Sequence, residues 1–573
     1  MNKFCEFLKK IFKYEPYEEY NFSIETDPID TQTNCSNNSA NNTQEQIEPK
    51  KLFTKMSNNL DFLKYKYNTL LSKDVIIREF YLLAYNTQYK AFVIYIEGMV
   101  NSLSINEFVL TPLMIRNSAN VFDENQKHFV SEETIDKVKI KKFQKEKKTN
   151  LNDFIYNSLI PQTNVNKLKD FSDVYSSINM GDCVLIVDSI DTAFAIDVKG
   201  FKQRNIDTPN NEIVVRGSQE AFVENIRTNT SMVRRIINNE NLVFVTSSVG
   251  KVTKTQVAIG YIKNIANPDL VSEVSFRINN LDVDYLISSG QLEQLIQDSP
   301  SSLFPQMMAT ERPDKVANYL LEGRVIAIVN GSPYVLIMPG VFSDFLSSPE
   351  DLNLKFQFAN LQKIIRFFAM VLSILLPGLY IAITNYHQEL IPTELLFTIA
   401  AARESVPFPT FIEILLMEIS FELIREAGLR VPTPLGSTIG IVGALILGEA
   451  AVSATLVSPV LIIIVAITAI CSFSIPDFSL SFSFRIYRFI YIILGYLAGF
   501  LGIGFGLFIQ LTLMCNLKSF GAPYITPFSL NKNKRSISTY FVPPIWKREQ
   551  ISQFIHSQKK YSQGKISMLW RKK

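Results

Sequence analysis

Histidine is nearly absent from this chain: 573 residues carry three, His128, His387 and His556, scattered along its length. No HExxH pair exists, which excludes that zinc-protease arrangement, and no nucleophile–base pair is recognisable. Cysteine is equally sparse. Cys5, Cys35, Cys183, Cys471 and Cys515 form no CxxC pair, and two of them lie in hydrophobic segments. A disulfide framework and a zinc site are excluded, and the polar part of the chain is expected in a reducing compartment. Gly250-Lys251 resembles the end of a P-loop, but Val245 stands where its first glycine is needed. The chain is therefore read as non-enzymatic, with no catalytic residues, no metal and no cofactor. A signal peptide is also lacking. The start, MNKFCEFLKKIFKYEPYEEY, has acids soon after a short apolar run and no small-residue cleavage site, so it reads as a cytosolic lead-in.

What is present is distributed unevenly. Charged residues make up 19% and apolar ones 47% of the whole, an ordinary average that hides three regions. Residues 1–58 form an Asn-rich leader whose tract TQTNCSNNSANNTQEQ holds too few apolar residues to build a core. Two α+β subdomains are expected at 59–170 and 171–355, followed by an α-helical polytopic membrane domain at 360–516 and a basic tail at 517–573.

In the first subdomain, Lys90–Val100 reads as a strand ending in a Gly turn, and Ser104 as the N-cap of a following helix. The Lys-rich insertion at 123–150 lacks interleaved aromatics and a base-reading motif. It is taken as a solvated insertion, not a nucleic-acid site. In the second, GDCVLIVDS, AFAIDVKGF, EIVVRGS and NLVFVTSSVGKVTKTQVAIGYI supply strands. Gln219–Asn238 places Phe222, Ile226, Met232, Val233 and Ile236 at helical spacing. PDLVSEVSFRINNL and GQLEQLIQD read as helices, and GRVIAIVNGSPYVLIMPG as a hairpin turned at Asn330-Gly331. Without a strict βαβ rhythm, the class is α+β.

The stretch Val431–Pro476 is too apolar for an ordinary soluble core. Four spans are expected, 364–386, 436–457, 459–475 and 484–515, each near the ~17–25 residues that cross hydrocarbon. In the second, Gly436, Gly440, Ala444 and Gly448 recur every fourth position and form a seam for close helix packing; Gly495/Gly499 and Gly502/Gly506 do the same in the last. Glu449 is an isolated acid among them, which reads as a functional position. A protonated acid hydrogen-bonded between helices is the structural alternative. Ser437, Thr438 and Ser453 join Glu449 as candidate pore-lining residues, although back-bonding within the helix accounts for such hydroxyls equally well. The acid-rich segment 389–430 is expected to be amphipathic or re-entrant. Its Glu413, Glu418 and Glu422 are vestibule acids or ordinary interfacial charges. Twelve Lys and Arg residues face the single acid Glu549 in the tail, placing both ends of the chain in the cytoplasm.

VVRGSQEAFVENIRTNTSMVRRI at 214–236, TERPDKVANYLLEGRVIAIVNGSPYVLIMPGVFSDFLSSPEDL at 310–352, IPTELLFTIAAARESVPFPTFIEILLMEISFELIREAGLRVP at 391–432 and PLGSTIGIVGALILGEAAVSATLVSP at 434–459 together resemble the A subunit of bacterial spore germinant receptors, the GerA family. The resemblance covers most of Tyr175–Leu530. It implies a multi-pass subunit in the inner membrane of the dormant spore, acting with a nutrient-sensing B subunit and a lipoprotein C subunit. It further implies a homo-oligomeric, ligand-gated channel that releases cations, chiefly potassium. The family pattern has Gln followed four residues later by Glu where this chain has Glu449 and Ser453, so the carboxylate has moved one helical turn on the same face. A non-conducting scaffold that couples the sensor to a separate channel is the main rival. A secondary transporter is disfavoured by the lack of an inverted repeat.

Overall fold

The computed structural model describes residues 51–69, 71–84, 87–114, 151–162, 164–200, 209, 211–430, 446–526, 541–547 and 555–559. Helix α1 (Met56–Lys66) turns Met56, Leu60 and Leu63 inward, one face at helical spacing. A long hairpin follows, β1 (Val75–Ala84) and β2 (Thr87–Ile96). The chain then forms α2, Ser102–Ile105 continuing through a π-turn to Thr111–Met114, and α3, Leu151–Phe154 running into Ile155–Leu159. Strand β3 (Val165–Leu168), helix α4 (Phe171–Asn179) and strands β4 (Cys183–Val187) and β5 (Ala193–Ile196) complete an antiparallel sheet ordered β1-β2-β4-β5-β3.

The second lobe repeats this plan. Helix α5 (Ile226–Ile236) precedes β6 (Leu242–Val249) and β7 (Thr255–Ile262). Helices α6 (Pro268–Asn279) and α7 (Ser289–Ile296) come next. Then follow β8 (Met308–Thr310), α8 (Pro313–Leu321), β9 (Val325–Val329) and β10 (Val335–Met338), in the sheet order β6-β7-β9-β10-β8. Strand for strand the two orders coincide. The likeness extends to side chains. Asn59, fourth in α1, exchanges hydrogen bonds of 2.9 and 2.7 Å with the backbone of Phe53; Asn229, fourth in α5, does the same with Val223 at 2.9 and 2.5 Å. Gly181 and Gly323, at φ of +90° and +93°, end the helix before each central strand, a conformation glycine adopts without strain. The lobes meet through Asp74 and Arg234, 2.7 Å apart and both buried.

The division expected at 170/171 is corrected, because GDCVLIVDS and AFAIDVKGF form strands that pair with β2 and β3 in the first sheet, and three local expectations are corrected as well. The N-cap of α2 is Asn101, whose side chain accepts from Leu103 N–H at 3.0 Å; Ser104 lies inside the helix. The helix expected from Gln219 begins at Ile226, capped by Asn225, because Phe222 N–H donates to Glu311 and holds the preceding residues extended. EIVVRGS forms no strand. Buried Arg312 donates to the carbonyls of Glu212 and Ser218, which bends that segment into a loop. The Asn330-Gly331 turn does join β9 to β10, with Gly331 at φ +90°.

Beyond the lobes the fold is helical: α9 (Phe356–Tyr386), α10 (Thr393–Arg403), α11 (Thr410–Arg430), a short helical piece over Ile446–Ala450 and Ala451–Ser453, α12 (Pro459–Phe473) and α13 (Phe478–Asn516). Helices α9 and α13 are long and apolar enough to cross a membrane by length and composition. Helix α13 is folded back on itself. Gly499, at φ 57° and ψ −136°, reverses the chain, and Tyr491 donates to Gln510 Oε1 at 2.5 Å. In a straight helix those two residues would stand about 28 Å apart. The run expected as one span at 484–515 is thus two antiparallel legs, Phe478–Ala498 of about 30 Å and Phe500–Asn516 of about 25 Å. The physical reason is glycine: Gly499 takes the turn, and Gly502 packs on the Leu494 carbonyl.

Both legs rest on the second lobe. Phe304 stacks on Tyr487 at 5.1 Å, Ser483 donates to the Leu303 carbonyl, and Ser519 donates to the Gln306 carbonyl at 2.5 Å. The core of the second sheet continues without a break into Met370, Ile374, Leu480, Phe484 and Met514 of the helices.

Candidate functional site

Helix α9 and the first leg of α13 run parallel, and their closest approach is backbone on backbone. A side chain at Gly495 would meet the Gly378 carbonyl at 2.6 Å, and Tyr386 Oη donates to the Tyr496 carbonyl at 2.7 Å. Helix α11 runs the opposite way. Thr410 lies beside Asn385 at the end distant from the lobes, whereas Arg425 donates to Ser472 Oγ at 2.8 Å near the lobes.

This antiparallel course places acids of α11 against cations of α13. Glu418 and Arg488 pair at 2.5 Å with both side chains fully buried. Glu422 sits between Arg485 at 3.6 Å and Arg425 at 3.3 Å. Four residues back on one helix and three forward on the other keep the rungs on facing sides. The guanidinium of Arg425 also lies over Phe421 and Phe473, and that of Arg485 over Phe482. A cleft of about 310 Å³ opens beside the ladder, lined by Ile419, Glu422, Arg425, Phe482 and Arg485 among others. Of the acids of 389–430, Glu413, Glu418 and Glu422 therefore point into the bundle, where Arg485 and Arg488 offset two of them, whereas Glu389, Glu394, Glu404 and Glu426 are exposed. Those arginines escaped sequence reading, although their i, i+3 spacing in an apolar run is a legible signal.

Glu413 lies apart from the ladder. It is fully buried, and its Oε1 accepts from Ser458 N–H at 2.5 Å, at the start of α12. Glu449 and Ser453 are both exposed on the short helical piece, and Glu449 has no ion-pair partner among the described residues. Gly448, next to it, has open space where a side chain would stand. Gly506 packs on Tyr491 and Leu494. Gly436, Ser437, Thr438, Gly440 and Ala444 lie outside the described residues, as do residues 1–50 of the Asn-rich leader and the Lys-rich insertion at 123–150; residues 51–58, expected in the leader, belong instead to the first lobe, with Leu52 and Met56 buried in its core.

At the junction of lobe and helices, Glu293 on α7 lies near Asp477, the N-cap of α13. Burial, reinforced by the Asp477 carboxylate, pushes the Glu293 carboxyl up to about 7. In the first lobe burial likewise raises the Cys183 thiol, which sits in the central strand. Among the described residues no cluster of His, Cys, Asp and Glu is arranged to hold a metal ion.

A duplicated α+β region whose core runs into an apolar helical bundle with a buried ion ladder defines a two-part protein, an α+β region joined to helices long and apolar enough to cross a membrane. The profile of the Bacillus/Clostridium GerA spore germination proteins matches residues 61–554. Spore germination protein KA of Bacillus subtilis (strain 168) is 37% identical over 522 residues, covering 91% of this chain and 90% of the relative. Spore germination protein GerLA of Bacillus cereus is 40% identical over 365 residues, 64% of this chain and 74% of the relative. A crystal structure of the N-terminal domain of the A subunit of the Bacillus megaterium spore germinant receptor GerK3 matches 51% of this chain and 97% of its own, with 33% identity and a TM-score of 0.35. The chain belongs to the GerA family, as an A subunit of a spore germinant receptor.

Proposed function

We propose that this chain is the conducting subunit of a nutrient germinant receptor: an oligomeric, ligand-gated cation channel that passes potassium when nutrient is sensed. The observation that carries the reading is Glu449. A carboxylate exposed on the surface of an apolar bundle, with no counter-charge among the described residues, is costly against lipid. It becomes favourable when it faces water, and a ring of copies around a shared axis supplies that setting. Such a ring attracts cations and repels anions. Glu449 and Ser453, with Ser437 and Thr438, are the pore-lining candidates in this reading. Glu418 and Glu422 then brace α11 against α13, and the cleft beside them serves as a vestibule.

The subunit acts in the spore inner membrane with both ends cytosolic, and with a nutrient-sensing B subunit and a lipoprotein C subunit as partners. Nutrient drives opening only through a difference in affinity for the open and closed arrangements. The continuous core from the second lobe to α13 supports transmission of that difference. Glu449→Gln, in an assembled receptor, is expected to lower the cation-to-anion permeability ratio while leaving assembly unchanged. An unchanged ratio contradicts the acid ring. A monomeric chain crosslinked only to its partners favours the scaffold reading instead, because a pore requires a closed ring.

A further inference from the structure

The ladder leaves one buried acid without a cation. Glu413 stands in the first turn of α11, fully enclosed, and only its Oε1 is engaged, by the Ser458 N–H. Its Oε2 has no hydrogen-bond partner. Two further buried oxygens meet at the same place, Ser458 Oγ on the residue that donates to Glu413 and Tyr380 Oη on α9; they approach each other without a well-aligned hydrogen bond, and Tyr380 lies within electrostatic range of Glu413. Around them stand Ile381, Ile414, Met417, Val457, Leu461 and Val465. Arg403 is the cation that bears on this cluster, at a distance and without an ion pair to Glu413 among the described residues.

A half-engaged charge and two hydroxyls left without a well-aligned hydrogen bond in apolar surroundings are expensive unless something fills the gap. The geometry points to a binding site for one alkali-metal cation, held by Glu413 Oε2, Ser458 Oγ and Tyr380 Oη where α9, α11 and α12 meet. All three donors are oxygen, which suits a hard cation. The cluster carries one negative charge, so a monovalent ion closes the balance, whereas a divalent ion leaves an excess charge in an apolar setting. The occupied site ties the start of α12 to the bundle, and α12 follows directly on the segment that carries Glu449.

The test is thermal unfolding of the full-length chain in lipid nanodiscs, in sodium, potassium or N-methyl-D-glucamine chloride at equal ionic strength. Sodium or potassium is expected to raise the melting temperature above that in the organic salt, increasing with cation concentration as binding linkage requires. Ser458→Ala and Tyr380→Phe each shift the half-effective concentration upward by about tenfold, the loss of one oxygen ligand. Glu413→Gln abolishes the effect; if that variant fails to fold, the two milder variants decide. Equal melting in all three salts overturns the site, as does a cation effect that survives in the foldable variants unchanged. Stability that follows pH but ignores the cation also overturns it, because a proton then neutralises Glu413. Conduction plays no part in this readout, so the site stands or falls separately from the channel reading.

Discussion

Glu418 on α11 and Arg488 on α13 form an ion pair of 2.5 Å from which water is excluded on both sides. Neither charge has another described ion partner of comparable closeness, so each depends on the other. Glu418→Gln is expected to destabilise the bundle by about 3–5 kcal/mol, because it strands a buried guanidinium. Replacing both, Glu418→Met with Arg488→Leu, is expected to recover most of that loss. Melting of the two variants in detergent checks the prediction; equal losses in the single and double variants contradict it.

Asn59 and Asn229 occupy the same position in the two lobes and bond the backbone in the same way. Asn59→Ala and Asn229→Ala should therefore have similar effects, each costing about 1–3 kcal/mol by leaving a partly buried N–H and C=O unpaired. Denaturant unfolding monitored separately in each lobe measures this. A large loss in one lobe with none in the other argues against equivalent roles.

Gly499 reverses α13 at a backbone angle that side chains rarely adopt, and any Cβ there meets the Tyr386 ring at 3.2 Å. Gly499→Ala is expected to cost about 1–3 kcal/mol of strain. Gly499→Leu is expected to part the legs. The distance between spin labels placed at Phe489 and Phe508 reports the hairpin: short in the parent chain and lengthened in the leucine variant.

Glu293 holds its proton more tightly folded than unfolded, with its carboxyl raised from 4.5 to about 7. The sign follows from linkage. Its contribution to stability is complete below about pH 4.5 and is lost as pH rises through about 7. Glu293→Gln should match the parent at pH 5 and exceed it at pH 8 by about 1 kcal/mol, solvent screening included. A variant whose melting tracks the parent at both values contradicts this.

Much of the lobe architecture is legible in the sequence because strands there alternate with clear punctuation. Val325–Met338 with its Asn-Gly turn, and the capped helices Pro268–Asn279 and Ser289–Ile296, follow from local pattern alone. Arg312 is different. It fixes Glu212–Ser218 across a hundred positions, and no local pattern announces that an apolar run will be held as a loop. The duplication is hidden for a related reason: matching lobes share strand order and the Asn59 and Asn229 bonds, while their side-chain sequences differ.

The helical region was legible in composition but not in course. Hydropathy marks Phe484–Cys515 as apolar throughout, and a run of glycines does not say which one turns the chain. Gly499 does so because Tyr386 and the return leg close around it. The acids of α11 suggest an amphipathic or re-entrant stretch in the sequence, since a single stretch cannot show that Arg485 and Arg488, some sixty residues later, stand opposite Glu422 and Glu418.

The central claim is that this chain conducts. Its most direct test is potassium flux from liposomes that hold the purified full-length chain, alone and with its sensor partners, before and after nutrient is added. The expected result is nutrient-dependent flux that requires this chain and changes with Glu449→Gln. Absence of flux from an assembled, nutrient-binding complex contradicts it.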